Sequence, residues 1–387
     1  MLPTPSTIAI EHSERLTYTI RQALQAAGGL FSFADYMNLA LYAPGLGYYV
    51  AGAHKLGAAG DFITAPEISP VYAHCLATQC IQVLTELGHG DILELGAGSG
   101  KMAGDILTVL AQQDCLPDHY YILEISPDLT QRQREYLTTH CPDWMDRIHW
   151  LTHWPATPLR GVILANEVLD AMPVHQFVWH NQRIFELCVG WENGQFITHP
   201  VPPLTTDLTS AAEVIVNRYL SQTDDYYSEI NLNLAGWFTS ISTILQQGLL
   251  LLIDYGFPQA EYYHPTRHQG TLMCHYRHHA HPDPFLWPGL QDVTAHVDFT
   301  DVLHKAVAAG LTPSGYTSQA YFLLSCGMDE WLANQPSDPR SRLQQHQAIQ
   351  RLTLPSEMGE LFKVIGFTKH FTKPLLGFQF DNRLGRL

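Results

Sequence analysis

The chain has 387 residues, of which 46% are hydrophobic and 15% charged, a composition that excludes a disordered polyelectrolyte and predicts a globular enzyme. Its 37 acidic against 21 basic side chains give a formal charge of −16, which repels a nucleic-acid backbone over most of the surface. The length predicts one large domain with insertions, or two domains.

Seven cysteines are scattered at 75, 80, 115, 141, 188, 274 and 326 without a CxxC pair, so a reduced compartment is expected. Residues 1–10 carry no basic group and therefore show no secretory or transit character. No apolar run approaches membrane-spanning length, since even Leu249 to Ile253 stops at Asp254. The expectation is a cytoplasmic protein with no membrane insertion and no nucleic-acid partner.

In chain order, Leu16, Ile20, Ala23, Leu24 and Ala27 have helical spacing over 12–27, and Gly28-Gly29 ends the run. An aromatic segment at 33–49 is broken by Pro44, Gly45 and Gly47, and a glycine-rich loop ends in Gly60-Asp-Phe-Ile-Thr-Ala-Pro-Glu-Ile-Ser69. Pro70 then opens a helix reaching about Leu87. From there the pattern alternates: strand 92–95, helix 102–112, strand 120–124, helix 127–139, then strands at 147–151 and 162–165. Such alternation predicts an α/β fold, a parallel sheet with helices on both faces. Residues 175–198 have the texture of an antiparallel meander inserted in that pattern. A helix over 234–246 precedes a fully apolar strand at 248–254, and 255–296 is expected to be irregular and either functional or mobile. A helix at 298–309, a strand at 316–324, a helix at 337–352 and a final strand near 376–380 complete the expected elements.

The chemistry concentrates at the ends of the strands. Glu94-Leu-Gly96-Ala-Gly98-Ser-Gly100 ends a strand in an acidic residue and three alternating glycines. Glycine permits the sharp turn and lets a ligand approach bare backbone, delivering it to the helix that starts near Lys101. Glu124 ends the next strand, 24 residues after Gly100, where a carboxylate can accept both ribose hydroxyls of a nucleoside. Together these residues predict an adenosine site. Gly98-Ser-Gly100-Lys-Met-Ala103 also satisfies a dinucleotide-binding turn, but Glu94 suits the amino group of a methionine moiety better than a pyrophosphate. A phosphate loop fails because Met102 stands in the Ser/Thr position and Leu95 in that of the first glycine.

The fourth strand ends in Asn166-Glu-Val-Leu-Asp170-Ala-Met-Pro173, at the carboxyl edge where open α/β sheets bind ligands. Methyl transfer from a sulfonium is an in-line displacement, so catalysis is alignment of the nucleophile and control of its proton. Glu167 and Asp170 could grip a guanidinium; the alternative is that Asn166 and Asp170 cap the following turn. Thr64 and Glu67 are candidates to cover the cofactor, with Glu67 alternatively capping the next helix. His296 is a candidate to assist proton removal, or stands incidentally beside a helix-capping Asp298. The crowded imidazoles of Cys274-His275-Tyr-Arg-His278-His279-Ala-His281 match no zinc spacing, and no metal is expected. Tyr48-Tyr49 suits core packing better than a cage for a cation.

These segments resemble the MidA-type methyltransferase family, which includes a mitochondrial complex I assembly factor that methylates a protein arginine. The resemblance is carried by Tyr36-Met to Gly47-Tyr-Tyr49, 60–69, 94–100, 166–173, Leu252-Ile-Asp-Tyr-Gly256, Gly270-Thr-Leu and Pro288-Gly-Leu-Gln-Asp-Val-Thr-Ala-His-Val-Asp-Phe299. It implies a class I methyltransferase fold, Rossmann-like, seven-stranded and mostly parallel with an antiparallel last strand. The expected organisation is an N-terminal helical cover region at 1–88 and a methyltransferase domain at 89–387, with insertions at about 174–235 and 256–297. The implied cofactor is S-adenosyl-L-methionine, held by Glu94, Gly96, Gly98, Gly100, Glu124 and Asn166 with Thr64 and Glu67. The implied acceptor is a protein arginine, in a subunit of a respiratory complex I-type assembly, with Glu167, Asp170 and His296 at the reacting end. A small-molecule methyltransferase, or an assembly chaperone that keeps the fold, are the competing functions. The family's mitochondrial location is not carried over, because no such address is visible here.

Overall fold

Short apolar runs that are too brief for helices become the middle of a sheet in the computed structural model, which describes residues 2–52, 64–334 and 338–387. The strands are β1 (Asp91–Leu95), β2 (Tyr120–Leu123), β3 (Ile148–Leu151), β4 (Leu159–Asn166), β5 (Leu245–Phe257), β6 (Thr312–Ser318) and β7 (Phe362–Lys369). Their path in space is β3-β2-β1-β4-β5-β7-β6. The first five are parallel to their neighbours, whereas β7 runs antiparallel to both β5 and β6. This is the mostly parallel class I methyltransferase sheet, with its last strand reversed.

Contacts divide the chain into two units. The sheet belongs to one, built from Ile63–Val168, Ala235–Phe257 and Phe299–Leu387. Val162 to Ala165 and Leu249 to Ile253 are all at most 2% exposed, as strands covered on both faces require. The helix Pro70–Leu87 starts with Ser69, whose Oγ accepts from Val71 N at 3.3 Å, and ends at left-handed Gly88. It packs Leu76, Cys80 and Val83 into the same core as Ile106 and Leu107 of the helix Lys101–Gln112.

The other unit comprises Met1–Phe62, Leu169–Leu234 and Pro258–Asp298. Its helix Thr7–Ala26 buries Leu16, Ile20 and Leu24, one stripe at four-residue spacing. An antiparallel sheet runs in the order Phe31–Ser32, Arg183–Glu192, His175–His180, Tyr226–Ile230, with Gln195–Val201 paired to Arg183–Glu192. A smaller sheet orders His279–His281, Met273–Tyr276 and Asp292–Thr294.

Several expected elements are corrected. The helix expected over 234–246 stops at Ile244, and β5 begins at Leu245, which pairs with Leu159 across a bulge. Residues 255–296 are not irregular throughout: they hold the helix Gln259–Tyr262 and three short strands, each too brief to show a period. The strand expected at 316–324 is β6 followed by the helix Gln319–Ser325. The last strand is β7, not 376–380, which is a single 3-10 turn at Leu376–Phe378. Phe378 is spent on packing instead: a Cβ at Gly315 or Gly366 would meet its ring at 2.1 and 2.8 Å.

Toward their amino ends, β4 and β5 contribute glycines where they approach β1 and one another. Asp91 pairs with Gly161 and Gly161 with Gly248, both glycines having positive φ, 142° and 134°. A Cβ at Gly161 would lie 1.9 Å from Asp91 O. Gly161→Ala is therefore expected to lower the free energy of unfolding by about 1 to 3 kcal/mol, the range of overpacked core sites. A denaturant titration matching wild type would refute this close-packing account.

Candidate functional site

The carboxyl ends of β1, β2 and β4 carry most of the residues singled out in the sequence, and all of these lie in the sheet-bearing unit. Gly96, Gly98 and Gly100 have φ of 66°, 55° and 84°, so the turn after β1 is left-handed three times over and needs glycine at each point. It leaves bare backbone facing the N-terminus of the helix Lys101–Gln112. Gly96 N donates to Leu123 O at 3.0 Å, which fastens the turn to the end of β2.

Glu94 is 1% exposed and accepts from the Tyr120 hydroxyl at 2.7 Å. Burial pushes its carboxyl up to about 7; the Tyr120 bond opposes that rise and the charge of Glu124 adds to it. Glu124 is 5% exposed, and its two oxygens accept from Ser126 N at 2.9 Å and Gln133 Nε2 at 3.0 Å. Gln133 Nε2 also reaches Gly98 O at 3.0 Å, and Gln133 Oε1 accepts from Trp150 Nε1 at 3.0 Å. A fully buried glutamine thus ties the glycine turn to the carboxylate at the end of the next strand.

Glu67 lies in the short helix Ala65–Ile68 and accepts from Ser99 Oγ at 2.5 Å, which joins it to the same glycine turn. The following helix is capped by Ser69, so the alternative role of Glu67 as its cap falls to another residue. Thr64 precedes Ala65–Ile68 as its N-cap without a side-chain cap bond, while residues 60–63 of the quoted loop lie outside the described residues.

At the end of β4, Asn166 Oδ1 accepts from the Tyr72 hydroxyl, and Asn166 Nδ2 donates to Glu167 Oε1 at 3.1 Å. Its partners are side chains rather than the groups a turn cap would bind. Glu167 has φ of 52°, a left-handed conformation costing about 1 kcal/mol for a residue with a Cβ. Its N–H donates to Ile253 O at 2.9 Å, which holds it there. Burial raises the Tyr72 hydroxyl well above its ordinary range, and the charges of Glu167 and Asp254 add to the effect. Asp254, 1% exposed, ends the apolar run of β5.

The other unit holds Asp170 and His296. Asp170 is 5% exposed, and its carbonyl accepts from Ala295 N at 3.0 Å. His296 N donates to Thr271 Oγ1 at 3.1 Å, and Thr271 N in turn donates to buried Glu229 Oε2 at 2.9 Å. Asp298 accepts from Gln259 Nε2 at 2.9 Å. Glu167 and Asp170 fall on either side of the unit boundary at Val168/Leu169. Of the crowded imidazoles of 274–281, His275 lies on the strand Met273–Tyr276, His279 and His281 on His279–His281, and His278 in the turn between them. Among the described residues, the ligand atoms close enough to hold an ion are those of His180, Asp224 and Asp225, all exposed.

Tyr72, Tyr120 and Gln133 were not foreseen. Tyr72 and Gln133 sit on helices whose spacing announces only packing, and Tyr120 begins a strand; nothing local marks them as partners of distant carboxylates. Asp254 was visible only as part of the Leu252 to Gly256 motif.

Glu94 gives the site a pH signature. Its folded value near 7 stands above the ordinary 4.5, so the folded chain binds this proton more tightly than the unfolded one. Its contribution to stability is full below about 4.5 and is lost as pH rises through 7. Glu94→Gln should flatten the fall in melting temperature across that window, and equal slopes in variant and wild type would count against the buried charge.

The turn of bare glycine backbone, the acidic residue before it and the carboxylate at the end of the neighbouring strand fit a nucleoside bearing an amino acid. A family model described as "Putative S-adenosyl-L-methionine-dependent methyltransferase" matches residues 75–317. The Danio rerio protein named "Protein arginine methyltransferase NDUFAF7, mitochondrial" is 32% identical over 372 residues, covering 87% of this chain and 83% of the relative. The Homo sapiens protein of the same name is 28% identical over 375 residues, covering 88% and 81%. A Burkholderia thailandensis protein crystallised with S-adenosyl-homocysteine has 41% sequence identity and a TM-score of 0.95 over 100% of each chain. S-adenosyl-L-methionine is the cofactor.

Because Gln133 joins Glu124 to Gly98, Gln133→Ala should weaken S-adenosylhomocysteine binding by about tenfold, the equivalent of one lost hydrogen-bond link. Calorimetric titration measures this, and unchanged affinity would remove Gln133 from the site. With the family model spanning most of the chain and the sheet, glycine turn and strand-end carboxylates in place, the chain belongs to the MidA-type family of class I S-adenosyl-L-methionine-dependent methyltransferases.

Proposed function

We propose that this methyltransferase is a protein arginine N-methyltransferase, that its acceptor is a subunit of a respiratory NADH dehydrogenase-type complex, and that it works in the cytoplasm. The observation that carries the reading is the acidic segment after β4, where a strained Glu167 and, three residues on, a buried Asp170 supply two carboxylates. The names of the relatives, protein arginine methyltransferases at 28 to 32% identity, support it. The respiratory acceptor rests on the motifs shared with the complex I assembly factor. The cytoplasmic placement is supported by seven cysteines that are all free, as a reducing compartment keeps them.

Bound S-adenosyl-L-methionine supplies a methyl group on a sulfonium. The residues of the chain have to solve a different problem, because a guanidinium stays protonated at neutral pH, with a pKa above about 12, and is a poor nucleophile. The Glu167 carboxylate accepts N–H bonds of the guanidinium and draws its positive charge toward itself, away from the attacking nitrogen, and Asp170 is the second candidate acid. The backbone bond from Glu167 to Ile253 and the amide of Asn166 fix one of these acids before the acceptor arrives. His296 is the candidate to receive the proton released when the nitrogen is methylated.

The test is transfer from labelled S-adenosyl-L-methionine to host polypeptides, followed by mass spectrometry of the labelled residue. Methylarginine is expected with wild type, and Glu167→Gln should reduce transfer by about a hundredfold or more, as for loss of a charged group acting in the transition state. Label confined to small molecules would sink the reading in favour of a small-molecule acceptor. Normal complex assembly in cells carrying an inactive Glu167→Gln would favour an assembly chaperone.

A further inference from the structure

Two of the motifs used above have no part in the chemistry so far: Gly47-Tyr-Tyr49 and the stretch around Asp292. The structure joins them, within one unit, around Asp170. Gly47 allows the first step, since a Cβ there would lie 2.5 Å from the backbone nitrogens of Tyr42 and Ala43. The chain after the helix Phe33–Tyr42 therefore folds back on it, with Tyr48 N and Tyr49 N donating to Ala40 O and Leu41 O at 2.9 Å each. That return stacks Tyr49 on Tyr42, with ring centroids 5.5 Å apart and planes 20° from parallel.

The two rings then reach different segments. The Tyr42 hydroxyl donates to Ala171 O at 2.9 Å, and the Tyr49 hydroxyl donates to Asp292 Oδ1 at 2.8 Å. Asp292 opens the strand Asp292–Thr294, and the next residue, Ala295, donates its N–H to Asp170 O at 3.0 Å. The contacts close a ring: Asp170 and Ala171, Tyr42, Tyr49, Asp292, Ala295, and back to Asp170. Both aspartates are nearly enclosed, at 5% and 4% exposure. Burial lifts the Tyr49 hydroxyl well above its ordinary range, and the charges of Asp292 and Asp170 add to the effect.

We propose that Asp292, carried by Tyr49, is a specificity-determining residue that acts with Asp170 to select a cationic acceptor. The inference rests on the reading of Asp170 as a receiver of the arginine. The ring brings together two buried aspartates, Asp292 bound through its carboxylate and Asp170 through its backbone carbonyl, and acidic charge so placed favours a guanidinium over a neutral amide or hydroxyl acceptor. The ring of hydrogen bonds keeps that charge in place without the acceptor, so little ordering remains to be done on binding.

The experiment compares Asp292→Asn, which keeps an oxygen for Tyr49 but removes the charge, with Tyr49→Phe, which keeps the stacked ring but removes the hydroxyl. The acceptor is a titration of polypeptides from cells lacking the enzyme, with labelled S-adenosyl-L-methionine as donor. Asp292→Asn should raise the apparent KM for polypeptide about tenfold, with kcat within about twofold and S-adenosylhomocysteine affinity unchanged, the pattern of lost acceptor binding. Tyr49→Phe should move KM in the same direction by a smaller factor. Kinetic constants equal to wild type in Asp292→Asn would overturn the inference, as would a parallel fall of kcat, cofactor affinity and melting temperature in both variants, which marks a purely structural ring. Either of those results, with methylarginine still made by wild type, leaves the arginine reading standing. Absence of methylarginine with wild type overturns both.

Discussion

Parallel pairing of β1 with β2 on one side and β4 on the other is the constraint from which the cofactor end follows. Leu95 pairs with Leu123 and with Ala165, so Gly96 emerges abreast of Glu124 and of Asn166. Asn166 pairs with Ile253, which brings Glu167 level with Asp254. No side chain has to be recruited from far away for this: a register fixed by buried Val, Ile and Leu delivers a glycine turn and several acids to one edge. A slip of one residue would send every core side chain to the opposite face of the sheet and against the wrong neighbours, so the packing that stabilises the sheet also sets the position of its polar ends.

Acids at such an edge create a second requirement. A carboxylate nearly shut off from water is costly unless it is hydrogen-bonded or protonated, and the sheet-bearing unit uses both remedies. Glu94 takes the Tyr120 hydroxyl and a carboxyl value near 7, while Glu124 takes Ser126 N and Gln133. Gln133 is the economical element, since one amide serves Glu124 and Gly98 while its oxygen holds Trp150. The shape of the glycine turn and the orientation of Glu124 are thereby coupled. Preorganisation of this kind favours affinity through geometry already in place.

What could be read in the sequence was local. The glycine turn, Glu124 and the alternation from 70 to 165 carry their own signatures, because turn chemistry and short-range periodicity act within a few residues. The ends of β5, the last strand and the small strands within 255–296 depart from the sequence pattern for one shared reason. Each is decided by pairing with a distant segment: Leu245 with Leu159, Phe362 to Lys369 with β5 and β6, Met273 to His275 with 292–294. Phe378 shows the same effect in reverse, as an apolar run that suggests a strand but serves to cover glycines of β6 and β7. The partners of the acids, Tyr72, Tyr120 and Gln133, were hidden because a hydrogen bond across tens of residues leaves no spacing to recognise.

Glu167 remains the residue that the fold alone does not account for. Among the described residues, left-handed backbone is carried by glycine at 45, 96, 98, 100, 270 and 289, among others, and by ten residues with a side chain, Glu167 among them. At 167 the chain keeps a glutamate with φ of 52°, and must hold it by a backbone bond to β5 and a side-chain bond to Asn166. Stability by itself favours glycine at that point, by the roughly 1 kcal/mol of left-handed strain. The strained backbone thus stands at the carboxyl edge of a parallel sheet and bears an acid whose neighbour Asn166 already orients it, which is the observation on which its proposed role in binding the acceptor rests. The same reasoning separates Glu167 from Glu94, whose unstrained strand position and Tyr120 partner explain it as part of the sheet as readily as part of the site.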